Sequence, residues 1–587
     1  MKPVVKRNGT PWDFLDQYRG KTFSGEWPTL PEMFRITVDR YGTRNCFTIY
    51  DPDRISFDYN EALRKIEKLS RALRSRGIKK GDKIALTGKN SPEWAVAYLA
   101  ILFSNAIVVP IDYQLSNQEI ENLIRASKAK FLFVDEEKFE HFHASQPEPV
   151  FEVFSLRHGI GSYIYEIDAC EINSEPNPET NAETRNETVN EFDTAAILFT
   201  SGTMGKPKGV MLSHRNLVSD CYLAQGTPFD VYHTDIFYAI LPLHHAYTML
   251  AVFIEAISTG AEVVFGKKMV VQVMLHDLKA AKITMLLGVP MLFNKLLAGI
   301  LRGLRDKGIA VYGIVRFLMT ISGFIKKTFG VNPGKRIFHA ILDKASLTTL
   351  RTCISGGGPL APSVFRQYNQ LGLDFVQGYG LTETSPIINL NPIEHYKETS
   401  VGKVLPHIEE KILDPDESGV GEVAVKGPVV MQGYYEMPEE TEKSFTPDGF
   451  FKTGDLGYLD SENYLYLTGR AKNVIVTEGG KNVYPEEIEN EFQLFDEIDQ
   501  ILVRPYAHDP KNKSEGIEAV VFPSPEFFKN AGAAVKEQIK SRISAIVSEV
   551  NARLLPYQKI EKTTILDDPM EMTTTKKIKR KKSDDEE

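Results

Sequence analysis

Ten consecutive residues, Thr200-Ser201-Gly202-Thr203-Met204-Gly205-Lys206-Pro207-Lys208-Gly209, set three glycines, three hydroxyls and two lysines between two apolar runs, Ala195 to Phe199 and Val210 to Leu212. Glycine lets backbone N–H groups approach a ligand, hydroxyls donate and an ammonium supplies charge, which together suit a polyphosphate. The spacing differs from G-x-x-x-x-G-K-[ST], and no helix follows the lysine. Both flanks are rich in Ile, Val, Leu and Phe, so the segment reads as a loop joining two short strands. A plain polar turn requires neither Pro207 nor a pair of lysines.

Four further segments carry reactive or ligand-holding groups. Leu241-Pro242-Leu243-His244-His245 puts two histidines after a strand, where imidazole can polarise or gate a carboxylate. Ser355-Gly356-Gly357-Gly358-Pro359 follows the strand-like Leu350 to Ile354, and bare glycine backbone lets a flat ring lie close. Gly356-x-Gly358-x-x-Ala361 also matches the dinucleotide fingerprint formally, but Pro359 and Pro362 interrupt the expected turn into a helix. Gln377-Gly378-Tyr379-Gly380-Leu381-Thr382-Glu383 offers a ring to stack, a hydroxyl for phosphate and a carboxylate for a hard cation. Phe451-Lys452-Thr453-Gly454-Asp455 ends a strand with an acid able to accept both hydroxyls of a ribose.

The elements around these segments alternate. A helical stripe (Leu63, Ile66, Leu69, Leu73) precedes strand-like Lys83 to Thr87, a helix over Trp94 to Phe103, and strand-like Ala106 to Pro110 and Lys130 to Val134. Such βαβ order predicts an α/β fold with parallel sheet. Glu171 to Asp193 is acidic and nearly free of apolar residues, as in a solvated linker. From Asn463 the texture shifts, with Gly469 to Asn473 as a pivot. Strands over Val474 to Thr477, Gln500 to Val503 and Ile517 to Phe522, then a helix over Ala534 to Leu554, make a second, smaller α+β domain. The 587 residues exceed what one core serves. A net charge of −9 argues against nucleic acid as the partner. Four scattered cysteines without a C-x-x-C pair suggest neither a disulfide framework nor a zinc site, and fit a reducing, cytoplasmic setting. The first ten residues lack a signal-peptide apolar core.

Taken together and in this order, the segments resemble the adenylate-forming superfamily of acyl-CoA synthetases, luciferases and peptide-synthetase adenylation domains, over about residues 30 to 580. The resemblance implies an N-terminal AMP-binding domain over 1–468, a hinge at 469–473 and a mobile C-terminal domain over 474–587, with ATP and Mg²⁺ between them. It implies that Thr200, Ser201, Gly202, Thr203, Met204, Gly205 and Lys208 embrace the β- and γ-phosphates, Met204 standing where the family has a hydroxyl. His245 matches the position lining the acyl pocket near the carboxylate. Gly356, Gly357, Gly358, Pro359, Gln377, Gly378, Tyr379 and Gly380 match the adenine pocket. Thr382 matches the α-phosphate contact, Glu383 and Thr200 the Mg²⁺ ligands, Asp455 and Arg470 the ribose contacts and Lys472 the pivot. Gly479, Gly480 and Lys481 match the turn bordering the thiol acceptor. Lys577, in Thr575-Lys576-Lys577-Ile578, keeps the register of the catalytic lysine, with Lys576 where glycine is common.

The stretch 302–336 carries eight Lys/Arg against the single acid Asp306 around the apolar run Gly308 to Ile325. It resembles the insertion of long-chain acyl-CoA synthetases. Arg316, Thr320, Gly323 and Lys327 draw one polar stripe on a helix. Two readings stay open: a helix lying on an anionic bilayer surface, or a buried helix with a solvated lysine rim. A third, a spanning helix, is disfavoured by Arg316 in its middle and a run that barely reaches spanning length. The expected activity is ATP-dependent activation of a long-chain fatty acid, then transfer to CoA, by a cytoplasmic enzyme peripheral on the inner membrane surface. The alternatives are a fatty-acyl-AMP or acyl-carrier-protein ligase, a non-catalytic membrane-surface nucleotide sensor, and a Rossmann oxidoreductase.

Overall fold

The computed structural model describes residues 9–145, 149–150, 152–168, 188–200, 207–227, 229–267, 270–477, 481–493, 495–509, 514–528, 535–572 and 578–580. Two large sheets carry the N-terminal body. In the seven-stranded sheet, Thr194–Thr200, Ile107–Ile111, Lys83–Thr87, Phe131–Val134 and Glu152–Ser155 run parallel, while Lys208–Ser213 and Gly433–Tyr434 form an antiparallel edge. In the nine-stranded sheet, Asp374–Gly380, Thr352–Ser355, Met285–Gly288, Ile236–Ala239, Glu262–Phe265 and Asn45–Ile49 are parallel, and antiparallel strands close both edges. This is the α/β architecture that the alternating pattern predicts.

Local sequence accounts for the elements. Asp58 accepts the Glu61 N–H at 2.7 Å and so starts the helix Tyr59–Ser75, whose Ile66, Leu69 and Leu73 face the core. Ser91 caps Pro92–Phe103, which is buried on every face because it packs against strands of both sheets. A four-stranded antiparallel sheet follows, Glu409–Leu413, Gly421–Lys426, Phe451–Leu459 and Leu465–Arg470. Residues beyond it build their own core, in which Val503, Ile517, Ala519 and Val521 of a three-stranded sheet meet Ile543, Ile546 and Val550 of the helix Val535–Asn551. That smaller unit is α+β.

Two local features depart from the sequence pattern. The apolar run Leu250 to Ile257 predicts one helix, whereas Met249–Ile254 winds as a π-helix that continues as α-helix over Glu255–Thr259. A π turn holds more residues than an α turn, so each residue advances through less than the usual arc and no 3.6-residue stripe announces it. Its neighbour Glu255 is 4% exposed, lies against Gln225 and Cys221, and is pushed up to about 8 by burial. From pH 4.5 to about 8 the native chain therefore holds a proton that the unfolded chain has released, so stability falls as pH rises through that window. Glu255→Gln removes this fall, on the order of a few kcal/mol. Melting temperatures at pH 5 and pH 8 check it, and equal pH slopes for the two proteins contradict it.

The second departure is the helix Ile309–Phe329, 21 residues long. Its polar stripe is divided, with Arg316 and Gly323 half-buried and Thr320 and Lys327 exposed, while the neighbouring Lys326 turns inward. Lys326 is buried and donates to Asn369 Oδ1 and Asp374 Oδ1, each at 2.8 Å, Arg316 bonds Gln367, and Met319 and Ser322 are buried beside them. Ile314, Phe317, Ile321 and Phe324, spaced three and four apart, are 61, 66, 38 and 65% exposed. Of the two open readings, the buried helix with a solvated lysine rim is not what forms: the apolar row is exposed, and Asp374 and Asn369 draw Lys326 into the body while Lys327 stays exposed.

Candidate functional site

The phosphate-type loop closes a β-hairpin, with Thr200 directly opposite Lys208 and the Thr200 hydroxyl donating to the Lys208 carbonyl at 3.4 Å. Residues 201–206 of that loop, among them Ser201, Gly202, Thr203, Met204 and Gly205, lie outside the described residues. The strand Lys208–Ser213 packs against the single 3-10 turn Thr382–Thr384. That turn exists because the chain folds back tightly after Gly380, where a Cβ would lie 1.6 Å from the Pro386 carbonyl oxygen. The Thr384 hydroxyl accepts the Leu381 N–H at 3.0 Å, and Ser385 Oγ donates to the Val429 carbonyl at 2.7 Å, so the turn is held from both sides.

Glu383 projects from it. Its Oε1 accepts the Tyr434 hydroxyl at 3.1 Å. The Lys208 ammonium stands 4.8 Å over the same tyrosine ring and donates to Glu440 Oε2 at 2.8 Å. Tyr434 thereby links a carboxylate and an ammonium that lie 175 residues apart in the chain. Tyr434 and Glu440 escaped the sequence reading. Their only signal is a Gly-Tyr-Tyr string before the short helix Pro438–Lys443.

A second cluster forms from Tyr379, Asp455 and Arg470. Asp455, 6% exposed, accepts the Tyr379 hydroxyl at 2.7 Å and forms an ion pair with Arg470, Nε to Oδ1 at 2.5 Å. Register explains the second contact, since Asp455 and Arg470 are paired across the hairpin of Phe451–Leu459 and Leu465–Arg470. Burial, then the Asp455 charge, holds the Tyr379 phenol well above its usual range. Beside them runs the glycine loop. A Cβ at Gly356 would meet the Tyr247 ring at 2.9 Å, and Gly357 has φ +78°. Tyr247 donates to the Ile354 carbonyl at 3.1 Å and so packs the histidine segment against this loop, a role without a sequence signal. Pro362 stands in the first turn of the helix Pro362–Gln370 and opens it, rather than preventing it as expected. Gln377 is buried at the end of its parallel pairing with Ser355, next to Gly378.

His244 and His245 sit in a turn clamped by Asn90, which donates to the Ala239 and Leu241 carbonyls at 2.8 Å each and accepts the Leu243 N–H at 3.0 Å. His245 is the N-cap residue of the short helix Ala246–Thr248. The two imidazole centroids are 4.1 Å apart.

Gly469 and Arg470 still belong to the last strand of the four-stranded sheet, and Lys472 lies exposed in the 3-10 turn Ala471–Asn473 that leads into the smaller unit. Thr477 N–H donates to the Lys481 carbonyl at 3.0 Å, closing a turn whose residues Gly479 and Gly480 fall outside the described residues. Gln493 reaches the glycine loop, donating to the Pro359 carbonyl at 3.1 Å and accepting the Ala361 N–H at 2.9 Å. Lys577 also lies outside the described residues. The chain just after it is anchored, because Arg580 makes a two-pronged contact with Glu489, 2.7 Å to Oε1 and 2.8 Å to Oε2, and donates to the Val503 carbonyl at 2.9 Å.

The chain matches the AMP-binding enzyme family over residues 34–435. Its relatives include the long-chain-fatty-acid–CoA ligase FadD15 of Mycobacterium bovis, 29% identical over 556 residues that cover 89% of each chain. Another is the chloroplastic long-chain-fatty-acid–[acyl-carrier-protein] ligase AEE15 of Arabidopsis thaliana, 28% identical over 95% of this chain and 85% of that one. Among solved structures it is similar to ATP-bound MatB from Rhodopseudomonas palustris, with TM-score 0.71 and 25% identity over 94% of this chain and 97% of that one.

Proposed function

The chain belongs to the AMP-binding enzyme family, and from that premise we propose that it activates a long-chain fatty acid with ATP and passes the acyl group to CoA. In the first half-reaction a carboxylate oxygen bonds the α-phosphorus of ATP and the bond to the pyrophosphate oxygen breaks, giving acyl-AMP and pyrophosphate. In the second, the CoA thiolate bonds the acyl carbon and AMP departs.

The observation that carries this reading is the convergence, from distant parts of the chain, of Lys208 and Glu383 on Tyr434 and of Tyr379 and Arg470 on Asp455. Carboxylate and triphosphate repel each other, so their approach requires fixed positive charge where negative charge develops. Lys208 supplies part of it at the β- and γ-phosphates, which exchange with Glu440 on the ammonium. Asp455 receives the ribose hydroxyls, Tyr379 lies against the adenine beside Gly356 to Pro359, and Thr382 contacts the α-phosphate. Glu383 and the Thr200 hydroxyl are hard oxygen donors of the kind that Mg²⁺ takes, and Mg²⁺ held there neutralises triphosphate charge. His245 faces the acyl carboxylate. Lys577 approaches in the first half-reaction, and a swing about Lys472 brings Gly479, Gly480 and Lys481 to the thiol in the second.

A carrier-protein thiol is the second reading, favoured by the likeness to the plant ligase. Purified enzyme with palmitate and ATP separates the two. Acyl-CoA formed with CoA and nothing formed with a phosphopantetheinylated carrier supports the first, and the reverse result overturns it.

The reading extends to a cytoplasmic enzyme docked on the inner membrane surface through the outward face of Ile309–Phe329. The exposed row Ile314, Phe317, Ile321 and Phe324 lies among the exposed cations Arg302, Arg305, Lys307, Lys327 and Arg336, the pairing that an anionic bilayer surface receives. Each Phe fully buried in lipid contributes about 1.5–3 kcal/mol. Wild type should therefore float with phosphatidylglycerol vesicles and Phe317→Glu/Phe324→Glu should stay in solution. Equal flotation of the two contradicts the docking face.

A further inference from the structure

We propose that Asp112, His244 and His245 form a binding site for one divalent transition-metal ion of the Zn²⁺ class, separate from the Mg²⁺ position at Glu383. Asp112 directly follows the strand Ile107–Ile111 of the seven-stranded sheet, and the two histidines follow Ile236–Ala239 of the nine-stranded sheet. The site is thus built where the carboxyl ends of parallel strands from both sheets meet, a rigid place to hold converging side chains.

The donor atoms of all three residues lie within 4.8 Å of one another. Asp112 and His244 are each 8% exposed. Asp112 Oδ1 accepts the Gln114 N–H at 2.9 Å, which fixes the carboxylate, and Oδ2 stands 3.5 Å from His244 Nε2. His244 Nε2 is buried and makes no hydrogen bond. A charged imidazole–carboxylate hydrogen bond closes to about 2.7–2.9 Å. Two donors on one tetrahedral ion, each about 2.0–2.1 Å from it, stand about 3.3–3.5 Å apart. The observed spacing matches two ligands of one cation better than two partners of one proton. Two imidazoles and one carboxylate select Zn²⁺, Co²⁺ or Ni²⁺ over Mg²⁺, and three protein ligands leave a fourth position open.

Occupancy of His245 by an ion bears on the acyl site, on the reading of His245 as facing the acyl carboxylate. A bound ion takes up the imidazole and the space where the fatty acid's carboxylate arrives, so Zn²⁺ inhibits competitively with the fatty acid and not with ATP.

The test adds Co²⁺ to the full chain, purified free of chelator and without ATP or fatty acid, and follows the visible d–d absorbance. Wild type should show a saturable signal at one ion per chain, reversed by Zn²⁺. His244→Phe and Asp112→Asn, checked for wild-type circular dichroism and melting, should both lose it. No saturable signal in wild type, or an undiminished signal in both variants, overturns the site. Zn²⁺ inhibition that is not competitive with palmitate, in an enzyme that does bind Co²⁺ through these residues, overturns instead the role given to His245.

Discussion

Lys577→Ala should slow acyl-adenylate formation by roughly 100- to 1000-fold, the usual effect of removing a group that stabilises developing transition-state charge. Conversion of supplied acyl-AMP and CoA to acyl-CoA should stay within a fewfold of wild type. The asymmetry follows from charge. The first half-reaction joins two anions and needs the ammonium at the α-phosphate, whereas a thiolate attacking acyl-AMP meets a mixed anhydride already activated. The chain immediately beyond this lysine is well anchored. Met572 and Ile578 form a β-bridge, the Lys579 N–H donates to the Glu571 carbonyl at 2.9 Å, and Arg580 grips Glu489. Alanine at 577 therefore removes the charge without freeing the segment's base. Pyrophosphate release measures the first half and thioester formation from synthetic palmitoyl-AMP the second. Equal loss in both would reject the assignment.

Glu383→Gln should lower kcat/KM for ATP by about 100-fold or more, the scale of several kcal/mol of metal-assisted charge stabilisation. It should also raise the Mg²⁺ concentration needed for half-maximal rate. Glutamine keeps a side-chain oxygen to accept the Tyr434 hydroxyl, which lies 3.1 Å from Glu383 Oε1, so the packing of the turn survives while the ligand charge disappears. Mg²⁺ titrations of the initial rate distinguish the causes. An unchanged Mg²⁺ midpoint with a reduced rate would mean that Glu383 acts on packing and not on the cation.

Much of the architecture was legible because it depends on local pattern. Apolar runs flanking the glycine-rich loop predicted two short strands joined by it, found as the antiparallel pair Thr194–Thr200 and Lys208–Ser213, and alternating stripes predicted parallel sheet. Tyr379 was legible as a ring near a strand end, next to the last residue of Asp374–Gly380. Asp455 was legible as a residue type only, because the strand expected to end on it continues from Phe451 to Leu459 and leaves it mid-strand, opposite Arg470. What escaped depends on contacts between distant segments. Nothing near Tyr434 announces that it reaches both Glu383 and Lys208, because that link is made by an edge strand joining the sheet after more than two hundred residues. The helix Ile309–Phe329 shows its amphipathic pattern plainly, yet pattern alone does not say which side faces in. The choice belongs to Asp374 and Asn369, which hold Lys326. Asp112 near His244 is likewise a meeting of two sheets, invisible in either segment alone.

The central claim is that an oxygen of the fatty carboxylate attacks the α-phosphorus of ATP. Palmitate labelled with ¹⁸O in its carboxylate, incubated with enzyme, ATP, Mg²⁺ and CoA, tests it through mass spectrometry of the nucleotide and phosphate products. One labelled oxygen appearing in AMP, with unlabelled pyrophosphate and acyl-CoA formed in equal amount, is the predicted result. Label in inorganic phosphate with ADP as the nucleotide product, or AMP free of label, would contradict it.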